Sequence, residues 1–237
     1  MSAYIFDTET TGASDPDLIE AAWLLMSDDV NDTSPRNVFL KRYKSPKRIE
    51  FGAMAVHHII ESDLTDCSPN SEFRLPIDMK YMIGHKVDFD WEVAGSLNVK
   101  RICTLAMAKR VWPTAESHTL GALNYMLADD QSAVRLELRD AHNALADCYL
   151  CARVLNAIID HCDESLTTWE EVYQFSERAR IPTHMSFGKH VGKPVADVPY
   201  DYRAWYARQP DPDPYLLKAF GLPFVSAAGA VPPQRSN

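Results

Sequence analysis

The chain opens with two short apolar runs, residues 3–9 and 18–26, separated by Thr10-Thr11-Gly12 and Asp15-Pro16-Asp17. Runs of this length bounded by such turn residues predict strands, and two at the head of a chain commit it to a sheet. Residues 38–43 alternate between apolar and basic side chains, as a half-buried strand does, and residues 80–84 read as another buried strand. Helical patterns then dominate, over 104–111, 119–127 and 141–160. In the last of these Leu145, Cys148, Ala152, Leu155 and Ile159 recur at helical spacing. A further helix is predicted from about Thr167 to Arg180, opened by a Thr167/Glu170 capping box and stopped before Pro182. Strands followed by helices predict a mixed sheet covered by helices; pattern alone leaves α/β and α+β both open.

Charge and proline divide the chain. Residues 1–181 carry 18 bases and 29 acids, whereas residues 182–237 carry 6 bases, 4 acids and 9 of the 15 prolines. An acidic regular domain followed by a small turn-rich module is expected: a first domain over 1–165, a connecting helix over 166–181, the module over 182–225, and a frayed tail over 226–237. With 237 residues, 46% hydrophobic and 24% charged, the composition is that of a globular protein. No apolar run approaches the ~20 residues of a membrane span, and the first ten residues carry no basic region of a secretory signal. Five cysteines, odd in number and set in apolar segments, predict a reducing, cytoplasmic setting. A formal charge of -9 excludes a protein that coats nucleic acid by bulk positive charge.

Three short motifs carry chemistry. In Phe6-Asp7-Thr8-Glu9-Thr10-Thr11-Gly12, strand alternation sends Asp7 and Glu9 to one side. Two such carboxylates repel unless a cation lies between them, and oxygen ligands suit Mg²⁺ or Mn²⁺. In Ile83-Gly84-His85-Lys86-Val87-Asp88-Phe89-Asp90 a strand ends and a helix begins, with Asp88 expected as its N-cap and Asp90 in its first turn. In His142-Asn143-Ala144-Leu145-Ala146-Asp147 the histidine stands at a helix entrance, where a near-neutral pKa suits a general base. Each motif by itself also has a plain reading as a strand end, a helix cap or a surface histidine.

In that order, D-x-E, F-D and H-x-A-x-x-D, the three together resemble the DnaQ-like (DEDDh) family of 3′→5′ exonucleases. The segment Ala53-Met54-Ala55-Val56-His57-His58-Ile59-Ile60 is similar to the family's A-x-x-V-H-G-I loop near the substrate, with His58 where glycine is usual. Arg101-Ile102-Cys103-Thr104-Leu105 is similar to its strand-to-helix segment. The resemblance implies an RNase H-like mixed sheet flanked by helices, with Asp7, Glu9, Asp90 and Asp147 holding two divalent metal ions and His142 as general base. It implies contacts to substrate from Thr8, Thr10, Met54, His57, His58, His85 and Phe89. The reaction implied is hydrolysis of the terminal phosphodiester at a nucleic-acid 3′ end, releasing nucleoside 5′-monophosphates. The family includes monomers and dimers, so a homodimer is among the assemblies it allows.

Toward the C-terminus, Ser186-Phe187-Gly188-Lys189-His190-Val191-Gly192-Lys193 and Tyr202-Arg203-Ala204-Trp205 resemble the F-G-K-x-x-G-K module of exodeoxyribonuclease X-like proteins. Lys189 and Lys193 are expected on a hairpin that meets phosphate. Tyr200, Tyr202, Trp205 and Tyr206 are divided between base stacking and a small core. The module tips the substrate toward DNA; an exoribonuclease, a polymerase-proofreading exonuclease and a non-catalytic nucleic-acid-binding protein are the competing readings. The chain departs from the family's H-N-x-x-F-D at Lys86, which replaces asparagine, and at the extra acid Asp88. Cys148, Cys151, His161 and Cys162 read as core residues rather than a zinc site. The basic segment from Arg36 to Arg48 reads as an edge strand blunted by charge, part of which guides an incoming strand.

Overall fold

The computed structural model of the protein describes residues 2–32, 34–139 and 143–223. The chain divides into two compact units, Met1–Ala179 and Arg180–Asn237. The helix expected as a connection lies within the first unit.

That unit is built on one mixed sheet. Its strands are β1 (Ser2–Thr10), β2 (Leu18–Leu25), β3 (Asn37–Arg42), β4 (Met79–Gly84) and β5 (Lys100–Cys103), arranged in the order β3-β2-β1-β4-β5. The β1–β2 and β2–β3 pairs are antiparallel, and β1–β4 and β4–β5 are parallel. The helices of this unit are α1 (Phe51–His57), α2 (Asp88–Val93), α3 (Thr104–Val111), α4 (Leu120–Leu127), α5 (Gln131–Arg139), α6 (Ala144–His161) and α7 (Trp169–Ala179).

Alternation along β1 decides which face meets which helix. Ala3 and Ile5, with Ala22 and Leu24 of β2 and Tyr81 and Ile83 of β4, are buried in a core shared with Cys148, Cys151 and Leu155 of α6 and Val172 of α7. Tyr4 and Phe6 face the other way, with Met82, Val87 and half-buried Trp91 near α2. Asp7 and Glu9 therefore continue the Ala3–Ile5 row, on the side covered by α6.

The structure corrects several local expectations. The capping box is one residue on: Thr168 N donates to Glu171 Oε2 at 3.0 Å, and Glu171 N donates to Thr168 Oγ1 at 3.2 Å. Glu170 instead holds Lys100 and accepts the Tyr81 hydroxyl at 2.6 Å. Strand β3 is almost wholly exposed rather than half-buried, because it is an edge strand that α6 barely reaches. Residues 51–57 form a helix, not a loop. The expected tail over 226–237 lies outside the described residues.

The second unit holds α8 (Tyr200–Tyr206) and α9 (Pro214–Ala219) around a core that includes Met185, Val198, Tyr202, Tyr206, Leu217 and Phe220. The Lys189–Lys193 segment is a turn with a short 3-10 segment at Gly188–His190, closed by Met185 N to Lys193 O at 2.9 Å and Gly192 N to Met185 O at 2.8 Å. A single antiparallel bridge, His184 to Pro194, stands where paired hairpin strands were expected.

Candidate active site

The end of β1 brings the acids together. Carboxylate oxygens of Asp7, Glu9 and Asp147 all lie within 4.8 Å of one another. Asp7 and Glu9 come from one face of the strand, and Asp147 from the first turn of α6. Two features hold that turn. The Asn143 side chain caps α6 by accepting Ala146 N at 2.9 Å, and Cys148, fully buried, directs its thiol to the carbonyls of Ile5 and Ala22.

Asp90 reaches the same region from α2. Its Oδ1 accepts Thr8 N at 3.0 Å and Thr8 Oγ1 at 2.7 Å, so the residue between the two acids of β1 fixes the fourth acid. The turn that launches α2 is tight: a Cβ on Gly84 would lie 3.2 Å from the Phe6 carbonyl oxygen. Val87, not Asp88, occupies the N-cap position, and Asp88 pairs with Arg101, whose guanidinium also lies over the Trp91 ring. The extra acid of this motif is thus neutralised by β5. Lys86 has φ +76 and His58 has φ +58, the left-handed region that asparagine and glycine enter most readily. With Asp88, those are the places where the sequence departs from the family pattern.

Burial and mutual repulsion dominate the electrostatics. Burial first, then Asp90, Asp147, Glu9 and Glu20, push the Asp7 carboxyl far above its ordinary value. Glu9 is pushed up to about 8 by burial, then by Asp147, Glu20 and Asp90. Asp90 is pushed up to about 7 by burial, against the Thr8 hydrogen bonds that lower it. Among the described residues no lysine or arginine forms a salt bridge with Asp7, Glu9 or Asp90. Four crowded carboxylates form a donor set of hard oxygens, which fits divalent metal ions that prefer carboxylate ligands.

One charged residue of the site was read only as part of an apolar run. Glu20, 1% exposed, sits opposite Glu9 on β2 and opposite Arg42 on β3. Its Oε1 accepts Ala144 N at 3.0 Å and its Oε2 accepts Arg42 Nε at 2.7 Å. Sequence spacing carries no sign of this, because the partners are 22 and 124 positions away.

The remaining expected residues are placed as follows. His142 lies outside the described residues. His57 is buried, with Nε2 donating to the Thr10 carbonyl at 3.2 Å and Nδ1 accepting Ile59 N at 3.0 Å, so both ring nitrogens serve the backbone. His85 is likewise engaged, by Thr104 Oγ1 at 3.0 Å and the His118 carbonyl at 2.8 Å. Thr10 Oγ1 donates to the Gly12 carbonyl at 2.9 Å. Met54 and Phe89 are half-buried and His58 is exposed. Lys189 and Lys193 are exposed on the second unit. Of the basic segment, Arg36 pairs with Asp32, Arg42 with Glu20, and Lys47 with Asp15 and Asp17, while Arg48 stacks 4.3 Å above the ring of exposed Phe51.

Comparison with known proteins adds the following. No family model matches the sequence. The chain is 31% identical to exodeoxyribonuclease 10 of Escherichia coli strain K12 over 196 residues, covering 82% of this chain and 84% of that protein; the protein of that name from E. coli O6:H1 matches to the same extent. Among solved structures, exonuclease X in complex with 5′-overhanging duplex DNA superposes with a TM-score of 0.56 at 23% identity, covering 73% of this chain and 99% of that one. The nuclease domain of 3′hExo, a DEDDh family member bound to rAMP, gives a TM-score of 0.51 at 13% identity over 70% of this chain and 95% of that one. Those two likenesses, with the five-stranded mixed sheet, establish the RNase H-like, DnaQ-like exonuclease fold.

Proposed function

The chain belongs to the exodeoxyribonuclease X-like branch of the DnaQ-like (DEDDh) 3′→5′ exonucleases, metal-dependent hydrolases, and from that premise we propose that it shortens DNA from the 3′ end, releasing nucleoside 5′-monophosphates. The observation that carries the reading is the convergence of Asp7, Glu9 and Asp147 within 4.8 Å beside Asp90, with no protein cation paired to Asp7, Glu9 or Asp90 among the described residues. The competing reading of a non-catalytic binding protein gives no reason to keep these acids together against their repulsion.

In this proposal Asp7, Glu9, Asp90 and Asp147 hold two divalent ions, Mg²⁺ or Mn²⁺. When bound, such ions supply Lewis-acid activation of the attacking water and offset charge on the phosphate and the leaving 3′-oxygen. Asp7 is central, since Asp90, Asp147 and Glu9 all act on its carboxyl. Thr8 orients Asp90 through two hydrogen bonds. His142, by the family pattern, takes the proton of the attacking water; a general base of this kind contributes ~10²–10⁴-fold in rate. His58, Met54 and Phe89 line the approach of the 3′ nucleotide, and Arg48 on Phe51 meets the strand behind it. His57 and His85, with ring nitrogens already engaged, hold the Thr10 carbonyl and the loop at His118 in place.

The reading is tested by incubating the protein with 5′- and 3′-labelled DNA and RNA strands, with Mg²⁺ and with chelator. Metal-dependent release of mononucleotides from the 3′ end of DNA, lost in Asp7→Asn, is expected. Shortening from the 5′ end, RNA cut in preference to DNA, or full activity in Asp7→Asn would each overturn it.

A further inference from the structure

The hydrolytic proposal uses no residue of the second unit, yet this unit leaves large aromatic groups in water. Of the four aromatics on α8, Tyr202 and Tyr206 are buried in the core, whereas Tyr200 and Trp205 are exposed, Trp205 by 48%. Phe187, in the preceding turn, is 45% exposed. A core that recruits two tyrosines while a tryptophan and a phenylalanine stay half in solvent leaves apolar area exposed whose burial would be stabilising.

The charged groups are set around the same rings. Trp205 lies 5.2 Å from Tyr202 between ring centroids, His190 meets Tyr202 edge-on at 4.6 Å, and Lys189 Nζ stands 5.3 Å above the Tyr202 ring. The turn is pressed onto that ring. Gly188 has φ +71 and Gly192 φ +78, and a Cβ on Gly188 would come within 2.8 Å of the Tyr202 hydroxyl. The two glycines shape the turn that carries Lys189 and Lys193, with Lys189 set against the Tyr202 ring that neighbours Trp205, and neither ammonium forms a salt bridge among the described residues. Arg203, by contrast, is spent on the carbonyls of Val198 and Ala196. Residues 182–237 carry net positive charge in a chain of -9.

A half-exposed indole next to a turn that presents two exposed ammonium groups is the chemistry that binds a polyanion with open aromatic faces. Bases offer those faces only when unpaired. We propose that the Phe187–Lys189–Lys193–Trp205 surface is a second binding site, for single-stranded DNA: Trp205 stacks a base and the two lysines take phosphates. The inference rests on the reading above that DNA is the substrate, and makes the module a grip on the strand apart from the carboxylates.

The test uses the full chain in chelator, with a fluorescein-labelled dT20 strand titrated by anisotropy across a salt series. Two phosphate contacts contribute about 1.4 to the slope of log K against log salt on a single strand, so Lys189→Gln with Lys193→Gln should flatten it by about that amount. Trp205→Ala should weaken binding about tenfold at fixed salt, and Trp205→Phe, which keeps a ring against Tyr202, should recover most of it. Metal-dependent cleavage of a dinucleotide should stay unchanged in all three. Unaltered slope in the lysine pair, or affinity within twofold of wild type in Trp205→Ala, would overturn the site. So would equal weakening of a blunt duplex by Trp205→Ala. Wild-type protein that binds as described but cleaves no DNA would sink the hydrolytic reading and leave this one standing. Wild-type protein that cleaves, with variants that bind like wild type, would sink this one alone.

Discussion

Glu20 holds the backbone amide of Ala144 at 3.0 Å, tying the second strand of the sheet to the first residue of the helix that carries Asp147. The same carboxylate is neutralised by Arg42 from the edge strand at 2.7 Å. A ladder Glu9–Glu20–Arg42 thus crosses three strands, and its outer cation lets a fifth acid stay buried beside four others. Arg42 supports the position of Asp147 through Glu20 and the Ala144 amide.

Arg42→Met should therefore strand the Glu20 charge. Allowing for the 41% exposure of the arginine side chain, a charged hydrogen bond of this kind is worth about 1–2 kcal/mol of stability. Glu20→Gln keeps the acceptor for Ala144 N and removes one charge that raises Glu9, so its loss should be smaller. Urea unfolding of the two variants in chelator gives the comparison, and an Arg42→Met midpoint equal to wild type would remove the ladder as a source of stability.

Metal should control how stability depends on pH. Glu9 and Asp90 have folded values raised to about 8 and about 7, above those of the unfolded chain. A group raised on folding contributes stability that is present below its unfolded value and lost as pH rises through its folded value. In chelator, Tm should fall between about pH 4 and pH 8 from these two groups. Divalent metal replaces the bound protons, so the gain in Tm on adding Mg²⁺ should be larger at pH 8 than at pH 6. Thermal melts with and without Mg²⁺ read this directly; a metal effect independent of pH would contradict it.

How much of this was legible beforehand follows from distance along the chain. Strands β1 and β2 and helices α3 and α6 follow from apolar runs and helical spacing, which are local. The capping box failed by one residue because Thr167-Thr168 and Glu170-Glu171 satisfy the same pattern in two registers. Only the non-local pull of Lys100 and Tyr81 on Glu170 decides between them. Helix α1 has seven residues and one buried side chain, too little to show a period, and α5 buries only Val134. The carboxylates could be singled out because their motifs are short and ordered. Glu20 could not, since everything it does happens across strands.

A left-handed position gives a separate expectation. His58 ends α1 with φ +58, and its N–H bonds the Met54 carbonyl, so the backbone there is fixed by the helix end. Glycine adopts this conformation without the Cβ penalty, and His58→Gly should raise stability by about 0.5–1 kcal/mol. His58 is also among the residues proposed to meet the substrate, so the same variant should raise KM for a DNA strand while the protein becomes harder to unfold. A His58→Gly protein that unfolds more easily would remove the first assignment, and an unchanged KM would remove the second.

Thr8 offers the sharpest test of how the four acids are assembled. Its hydroxyl and its amide both donate to Asp90 Oδ1, and they are the forces that lower the Asp90 carboxyl against burial. Thr8→Val keeps the shape and the amide bond but removes the hydroxyl, so Asp90 should bind its proton more tightly and metal more weakly. Loss of a hydrogen bond that orients a metal ligand typically costs 10–100-fold in metal affinity or activity. The Mg²⁺ concentration for half-maximal exonuclease rate should accordingly rise at least about tenfold, most of all below pH 7, while saturating metal at pH 8 restores much of the rate. Thr8→Ser, which retains the donor, should stay near wild type. A Thr8→Val protein with unchanged metal requirement would mean that the residue 8 amide and the helix hold Asp90 without the hydroxyl, and that the side chain between the two acids of β1 has no part in assembling the site.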